Sequence, residues 1–156
     1  MPTLVMCPRS IMESAWKQDA EKLGGISVGI YHGSPITKRK LRDDWSKEMP
    51  DVVITTFETF RLKKQELLSM GFRRVIVDES SKLKNPDSKI SKSAISVADE
   101  LEEAYLLSGT PAPNNPSEYW GQLRFLGKQF VTTPSGSTNF WAWACYWLMP
   151  VRRKIR

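Results

Sequence analysis

The sequence is poor in the residues that build metal sites and disulfide frameworks. Its 156 residues include two cysteines, Cys7 and Cys145, and one histidine, His32. These side chains cannot complete a four-ligand zinc site, and a single histidine argues against a histidine-based catalytic or metal triad. A disulfide framework is not expected either, because such frameworks belong to small, cysteine-rich secreted domains.

Long hydrophobic runs are also missing. The longest, residues 140–149, is too short for a bilayer-spanning helix, which needs about 20 residues. The amino terminus has no basic region followed by a long apolar stretch, so we expect no signal peptide and a soluble, intracellular protein. The net charge of +6 permits an acidic partner such as nucleic acid but does not require one.

Short apolar runs alternate with amphipathic stretches, a pattern typical of βαβ units and a parallel sheet. The apolar runs are residues 4–7, 26–31, 52–54, 74–77 and 104–107. Helices are predicted over residues 10–23, 37–47, 57–70 and 88–101, and after residue 117. We therefore predict an α/β fold with three layers, a parallel sheet between flanking helices.

Two serines are predicted to start helices. Ser10 is followed three residues later by Glu13, which is the form of a capping box. Ser117 precedes an apolar pattern and is predicted to cap the last helix.

Four of the apolar runs end directly in short polar residues. These clusters are Pro8, Arg9 and Ser10; Thr55 and Thr56; Asp78 and Glu79; and Ser108, Gly109 and Thr110. Parallel strands have their carboxyl ends at one edge of the sheet, where ligands of open α/β folds bind. We therefore predict that the clusters converge on one site.

The pair Asp78 and Glu79 admits two interpretations when taken alone. In P-loop nucleotide hydrolases an aspartate at this place holds Mg²⁺, and a neighbouring glutamate can orient or deprotonate the attacking water. The other interpretation is an ordinary exposed acidic pair at the end of a strand. Residues 108–110 taken alone indicate a plain turn.

Four segments, in order along the chain, resemble motifs of Swi/Snf-type ATPases, in the helicase superfamily that also includes DEAD-box and DEAH-box enzymes. Residues 4–10 with Trp16 resemble motif Ia, residues 54–58 motif Ib, residues 78–85 motif II, and residues 106–115 motif III with its following loop. The resemblance identifies residues 1–130 as a partial amino-terminal RecA-like helicase ATP-binding lobe. Residues 131–156 would then be a truncated aromatic and basic segment.

This resemblance implies ATP and Mg²⁺ as cofactors and DNA as a partner. Asp78 would hold Mg²⁺ through water, and Glu79 would activate the hydrolytic water. Ser108, Gly109 and Thr110 would respond to the state of the nucleotide. The residues expected to contact the backbone of double-stranded DNA are Pro8, Arg9, Ser10, Thr55 and Thr56.

The sequence departs from the family pattern in two ways. Ser81 stands where family members often have a histidine linked to coupling with the second lobe. No glycine belongs to a Gly-x-x-x-x-Gly-Lys-[Ser/Thr] phosphate loop, the Walker A motif. We expect this loop and the second RecA-like lobe to come from other segments, in cis or in trans. An arginine finger alone is worth about 10³–10⁵ in rate, so the isolated chain should hydrolyse ATP negligibly.

Three functions follow from these patterns. The leading one is a fragment of a Swi/Snf-type DNA-dependent ATPase that couples ATP hydrolysis to DNA translocation or remodelling. An alternative is a non-enzymatic DNA- or protein-binding lobe that completes or regulates another chain. A third, an α/β nuclease using Asp78, Glu79 and Lys82, leaves residues 110–114 unexplained. The short loop after Ser108 resembles bacterial and phage members, so the cytoplasm of such a cell is expected.

Two further groups of side chains have ordinary structural interpretations. Lys38, Arg39, Lys40 and Arg42 precede two aspartates, which favours a solvated helix face. The aromatic residues Trp141, Trp143, Tyr146 and Trp147 favour a core or an interface over base stacking.

Overall fold

A five-stranded parallel sheet with flanking helices is the centre of the structure, as the alternating pattern predicted. The computed structural model describes residues 2–133, 136 and 139. The strand order is β2-β3-β1-β4-β5, and the pairings of β1 with β3 and β4 and of β2 with β3 are parallel. The strands are β1 (Thr3–Met6), β2 (Val28–Ile30), β3 (Val52–Thr55), β4 (Arg74–Asp78) and β5 (Glu103–Leu107).

Five α-helices belong to the described residues: α1 (Gln18–Leu23), α2 (Pro35–Trp45), α3 (Phe57–Ser69), α4 (Lys89–Ile95) and α5 (Tyr119–Leu126). Three of them begin at a hydroxyl side chain that accepts a hydrogen bond from a backbone N–H of the first turn. These caps are Ser34 for α2, Thr56 for α3 and Ser88 for α4. Such caps satisfy amides that have no partner inside the helix.

The chain forms two compact units. The first contains residues 1–78 and 101–105, and the second contains residues 79–100 and 106–156. The first unit therefore holds β1 to β4, the start of β5 and helices α1 to α3. The second holds α4 and α5. No helix among the described residues is long and apolar enough to cross a membrane.

The core of the first unit is built around β1. All four residues of this strand are buried, and successive strand residues point to opposite faces, so both faces are covered there. On one face Met12 and the partly buried Trp16 pack against Val5, Cys7 and Ile54.

A polar cluster joins α2 and α3 beside Tyr31, the residue that follows the carboxyl end of β2. The Tyr31 hydroxyl donates to Glu66, whose carboxylate also pairs with Arg42 at 3.2 Å and Lys63 at 3.1 Å. Lys38 lies 5.8 Å from the centre of the Tyr31 ring. Arg39 and Lys40 of α2 are exposed to solvent, as predicted. Lys38 and Arg42 instead take part in this cluster.

The second unit is held by an ion-pair cluster and a close helix contact. Arg124, which is 9% exposed, donates to Asp99 at 3.0 Å, and Lys128 lies 2.7 Å from the same carboxylate. Hydrogen bonds from Lys128 and Arg124 hold the pKa of Asp99 below its ordinary value. Gly121 faces the backbone carbonyl of Leu83 at a distance that leaves no room for a Cβ.

The predicted capping box at Ser10 is wrong. Pro8 instead precedes a 3₁₀ turn at Arg9–Ile11, followed by a wide π-helical turn at Met12–Lys17 before α1 begins. Ser10 therefore lies inside the first turn, where no side chain caps the helix. The helix does end at Leu23, as predicted, and Gly24 follows it with a positive φ of 70°.

Two other helix predictions need correction. The helix predicted over residues 88–101 stops at Ile95, and a separate 3₁₀ turn follows at Ala98–Glu100. Ser117 is not the cap of the last helix. The Asn115 side chain accepts a hydrogen bond from the Ser117 amide and starts a 3₁₀ turn that leads into α5.

We predict that Gly121→Ala destabilises the protein by about 1–3 kcal/mol, because the new methyl group would overlap the Leu83 carbonyl. Urea unfolding followed by circular dichroism measures this change. Gly109→Ala is the matched control, since a Cβ at Gly109 meets no atom within 4 Å. Equal stability of the two variants would contradict the close contact.

Candidate functional site

The ends of three neighbouring strands lie side by side at one edge of the sheet. In the parallel register Met6 pairs with both Thr55 of β3 and Val77 of β4. The polar residues that follow these strands therefore leave the sheet at the same edge. This is the convergence that the sequence predicted for residues 8–10, 55–56 and 78.

Asp78 is half-buried at the end of β4 and has a defined hydrogen-bond donor. The indole Nε1 of Trp16 donates to its Oδ2 at 2.8 Å. The neighbouring thiol of Cys7 is buried, and burial, together with the negative charge of Asp78, raises the pKa of Cys7 to about 12. Cys7 is therefore a neutral core residue at pH 7 and not a nucleophile.

Glu79 has an unusual backbone conformation. Its φ of 59° is the only positive φ of a non-glycine residue in the described part of the chain. A left-handed conformation costs an ordinary residue about 1–2 kcal/mol, and such strain clusters at functional sites. The glutamate side chain is exposed, immediately before the 3₁₀ turn at Ser80–Leu83.

The donor set at this edge suits one class of metal ion. No group of three or more histidine, cysteine, aspartate or glutamate residues able to hold a metal exists among residues 2–133, 136 and 139. Mg²⁺ is usually bound by one or two carboxylates together with waters and substrate phosphates. Asp78 and Glu79 fit that pattern and do not fit a closed zinc site.

The residues expected to contact DNA differ in their accessibility. Arg9 and Ser10 are exposed in the first turn after β1, and Pro8 is half-buried. All three follow the same strand, so they lie at the edge described above. Their exposed side chains and backbone are open to a large ligand.

The prediction for Thr55 needs correction. Its side chain is fully buried, and its hydroxyl donates to the backbone carbonyl of Tyr31 at 3.2 Å. It cannot contact a DNA backbone in this conformation. Thr56 is half-buried, and its hydroxyl accepts from the Thr59 amide at 3.1 Å as the cap of α3.

His32 follows β2 and belongs to the loop before α2. Its Nδ1 is buried and has no hydrogen-bond partner. Burial, with the positive charges of Arg9 and Lys38, lowers the pKa of His32 below its ordinary value of 6.5. The imidazole is therefore neutral at pH 7.

In the second unit, residues 108–110 form a small exposed turn after β5. The Thr110 amide donates to the Ser108 hydroxyl at 3.2 Å. Gly109 and Thr110 are exposed, and Ser108 is half-buried. The turn thus presents hydroxyls to solvent.

Gln122 connects two parts of the second unit. This α5 side chain is 3% exposed and accepts a hydrogen bond from the Ser80 hydroxyl at 2.8 Å. Its amide nitrogen donates to the carbonyl of Pro111 at 2.6 Å and to that of Glu118 at 3.2 Å. Gln122 therefore joins the chain that follows the acidic pair to the chain that follows residues 108–110.

Sequence reasoning missed the partners of Trp16 and Gln122. The sequence analysis places Trp16 in motif Ia and gives it no polar partner. Gln122 carries a weak signal, because it lies on a predicted helix close to the apolar residues Trp120 and Leu123. Buried amides need hydrogen-bond partners, so a glutamine in an apolar stripe indicates a polar link.

Several predictions fall on residues outside the described part of the chain. These are the aromatic residues Trp141, Trp143, Tyr146 and Trp147 and most of the predicted segment 131–156.

Solved structures show which class of fold this is. The Sulfolobus solfataricus SWI2/SNF2 ATPase core in complex with dsDNA has a TM-score of 0.73 and 23% identity, covering 99% of this chain and 30% of that chain. The Sulfolobus solfataricus SWI2/SNF2 ATPase core domain gives a TM-score of 0.68 and 24% identity, covering 98% of this chain and 28% of that chain. The fold is that of the RecA-like lobe of such a core.

Sequence comparison gives the family. The model of the SNF2-related domain matches residues 1–144. The TATA-binding protein-associated factor mot1 of Schizosaccharomyces pombe is 31% identical over 134 residues, which are 85% of this chain and 7% of mot1. Helicase SWR1 of Candida albicans is 32% identical over 145 residues, which are 88% of this chain and 8% of SWR1.

The chain belongs to the SNF2-related domain family, and the resemblance to Swi/Snf-type ATPases is confirmed. It spans 7% of the length of mot1 and 8% of that of SWR1. Both of these relatives are eukaryotic, and the bacterial or phage origin stays a prediction.

We predict that the free energy of unfolding falls as the pH is lowered from about 7.5 to about 5.5. The pKa of His32 is lower in the folded state than in the unfolded state. The unfolded state therefore binds the proton more readily and is stabilised relative to the folded state as the pH is lowered. His32 is the single histidine, so His32→Gln should flatten this slope in urea titrations at each pH. An unchanged slope would show that His32 does not titrate in this range.

We predict that Gln122→Leu destabilises the protein by about 1–3 kcal/mol, because the buried Ser80 hydroxyl and Pro111 carbonyl lose their partner. Thermal or urea unfolding measures the change. Gln65→Leu is the control, since Gln65 is exposed on α3. A Gln122 variant as stable as the Gln65 variant would rule out a structural link through this amide.

Proposed function

We propose that this chain is the part of a double-stranded-DNA-dependent SNF2 ATPase that carries the metal-binding carboxylates and part of the DNA-contacting surface. In the completed enzyme, ATP hydrolysis would be coupled to DNA translocation or remodelling. The observation that carries this proposal is the half-buried Asp78 at the carboxyl end of β4, next to β1 in a parallel sheet of SWI2/SNF2 ATPase-core fold.

The acidic pair supports the nucleotide role. Bound Mg²⁺ would neutralise charge on the phosphates. In this chain Asp78 would hold the water shell of the ion and Glu79 would accept a proton from the attacking water. Ser108 and Thr110 would respond to the nucleotide from the turn after β5.

The first turn after β1 supports the DNA role. Arg9 and Ser10 are exposed at the same edge as Asp78, and the Thr56 cap marks the start of α3 beside them. A guanidinium, a hydroxyl and helix amides suit phosphate oxygens and carry no sequence information. One of the similar solved structures is a complex with dsDNA.

We also infer that a further segment completes the lobe, in cis or in trans. The 156 residues contain no Gly-x-x-x-x-Gly-Lys-[Ser/Thr] loop. β5 is an edge strand with β4 as its one neighbour in the described sheet, and Tyr105 on it is 49% exposed. Parallel sheets are normally covered on both faces, so an uncovered aromatic ring there supports an additional strand and helix.

The alternative function is a non-enzymatic lobe that binds DNA or protein and completes or regulates another chain. Both functions would use the same DNA-contacting surface. They differ because only the leading one includes ATP hydrolysis. The third hypothesis, a nuclease that uses Asp78, Glu79 and Lys82, stays the weaker one because it leaves residues 110–114 unexplained.

We predict that the chain alone hydrolyses ATP at the background rate, with or without double-stranded DNA. The DNA that flanks its coding sequence should encode a phosphate loop and a second lobe. The protein assembled with those segments should show DNA-stimulated phosphate release. Asp78→Asn should reduce that rate about 10²-fold or more, because the charge that holds the metal is lost.

The control is Asp87→Asn, which removes an exposed carboxylate that pairs with Lys92 at 3.1 Å. It should leave the rate unchanged. A robust DNA-stimulated rate from the chain alone would contradict its incompleteness. DNA binding without hydrolysis in the assembled protein would establish the non-enzymatic alternative.

A further inference from the structure

The hydrogen bond between Trp16 and Asp78 links two parts of the chain that are 62 residues apart. Trp16 Nε1 donates to Oδ2 of Asp78 at 2.8 Å in a part-buried setting. An N–H to carboxylate bond of this length is charge-assisted and stronger than a bond between neutral groups. It ties the π-helical turn Met12–Lys17 to Asp78 at the end of β4.

The Trp16 ring is itself firmly held. It belongs to the π-helical turn Met12–Lys17 and packs against the buried cluster that contains Val5, Cys7 and Ile54. Wide turns of this kind are rare and are found often at functional sites. Because the ring is held by packing, its N–H has a fixed direction.

We propose that Trp16 is a positioning residue whose indole N–H sets the orientation of the Asp78 carboxylate toward a divalent cation. This inference rests on the proposed role of Asp78 in metal binding. The terminal torsion of an aspartate is broad and roughly two-fold, so a carboxylate with no fixed partner samples many orientations. A donor on Oδ2 favours one of these orientations.

Residues that orient a metal ligand have a measurable effect on affinity. Removing such a partner typically weakens metal binding about 10–100-fold. Trp16→Phe is the suitable change, because phenylalanine keeps an aromatic ring in the cluster and lacks the N–H. A purely structural role for Trp16 would show in stability, whereas a positioning role shows in cation affinity.

The test uses Mn²⁺ alone as the probe on the whole chain with ¹⁵N-labelled tryptophan. The Trp16 indole signal is assigned by its disappearance in Trp16→Phe. In the unchanged protein we expect Mn²⁺ to broaden this signal, and Asp78→Ala to abolish the broadening. Electron paramagnetic resonance titration should show Mn²⁺ affinity about 10–100-fold weaker in Trp16→Phe than in the unchanged protein.

Trp45→Phe is the matched control, since Trp45 packs on Tyr31, with ring centres 5.9 Å apart, and should keep full Mn²⁺ affinity. A second measurement leaves Trp16 intact: solvent exchange of its indole proton should be faster in Asp78→Ala. That comparison tests whether the hydrogen bond forms in solution, even if Trp16→Phe fails to fold.

Each failure has its own signature. Equal Mn²⁺ affinity in Trp16→Phe and the unchanged protein, with binding still lost in Asp78→Ala, overturns the positioning role and leaves the metal role of Asp78 standing. Unchanged indole exchange in Asp78→Ala overturns the hydrogen bond itself. Absence of any Asp78-dependent Mn²⁺ binding in the unchanged protein overturns both the positioning role and the proposed metal site.

Discussion

The parallel pairing of β1 with two neighbours is the constraint on which the candidate site depends. β1 is buried along its whole length and aligns Met6 with Thr55 on one side and Val77 on the other. A slip of one residue would turn every side chain of the strand to the opposite face. The same register that forms the core therefore also fixes where Asp78 leaves the sheet.

Most of the sheet was predictable because its signals are local. Each apolar run predicted a strand that the structure contains, and the prediction of one common edge needed only parallel topology. The helix starts were less predictable. Ser10 and Glu13 satisfy a local capping pattern, but the turn already begins at Arg9, directly after Pro8. The hydrogen bond from Trp16 to Asp78 joins this segment to a strand residue 62 positions away. No local pattern contains that contact.

The difference between local signals and long-range contacts also explains which residues of the candidate site could be predicted. The positions of Asp78 and Arg9 at the ends of strands were predictable, because both stand within two residues of an apolar run. The buried Thr55 hydroxyl donates to the carbonyl of Tyr31, the residue after β2, and the spacing of the apolar runs does not reveal the strand order. Gln122 bonds to Ser80, 42 residues away. Long-range polar pairs of this kind depend on the finished fold, so composition and periodicity cannot identify them.

The backbone at Glu79 has a consequence for how this chain can be altered. A glycine at position 79 would remove the energetic cost of the left-handed conformation, since glycine has no Cβ that disfavours a positive φ. Directed evolution for heat tolerance would therefore favour glycine at this position and would discard the carboxylate with it. Stability of the fold and retention of the Glu79 carboxylate therefore make opposite demands on this residue. A library selected only for folding would lose the side chain to which we assign proton transfer.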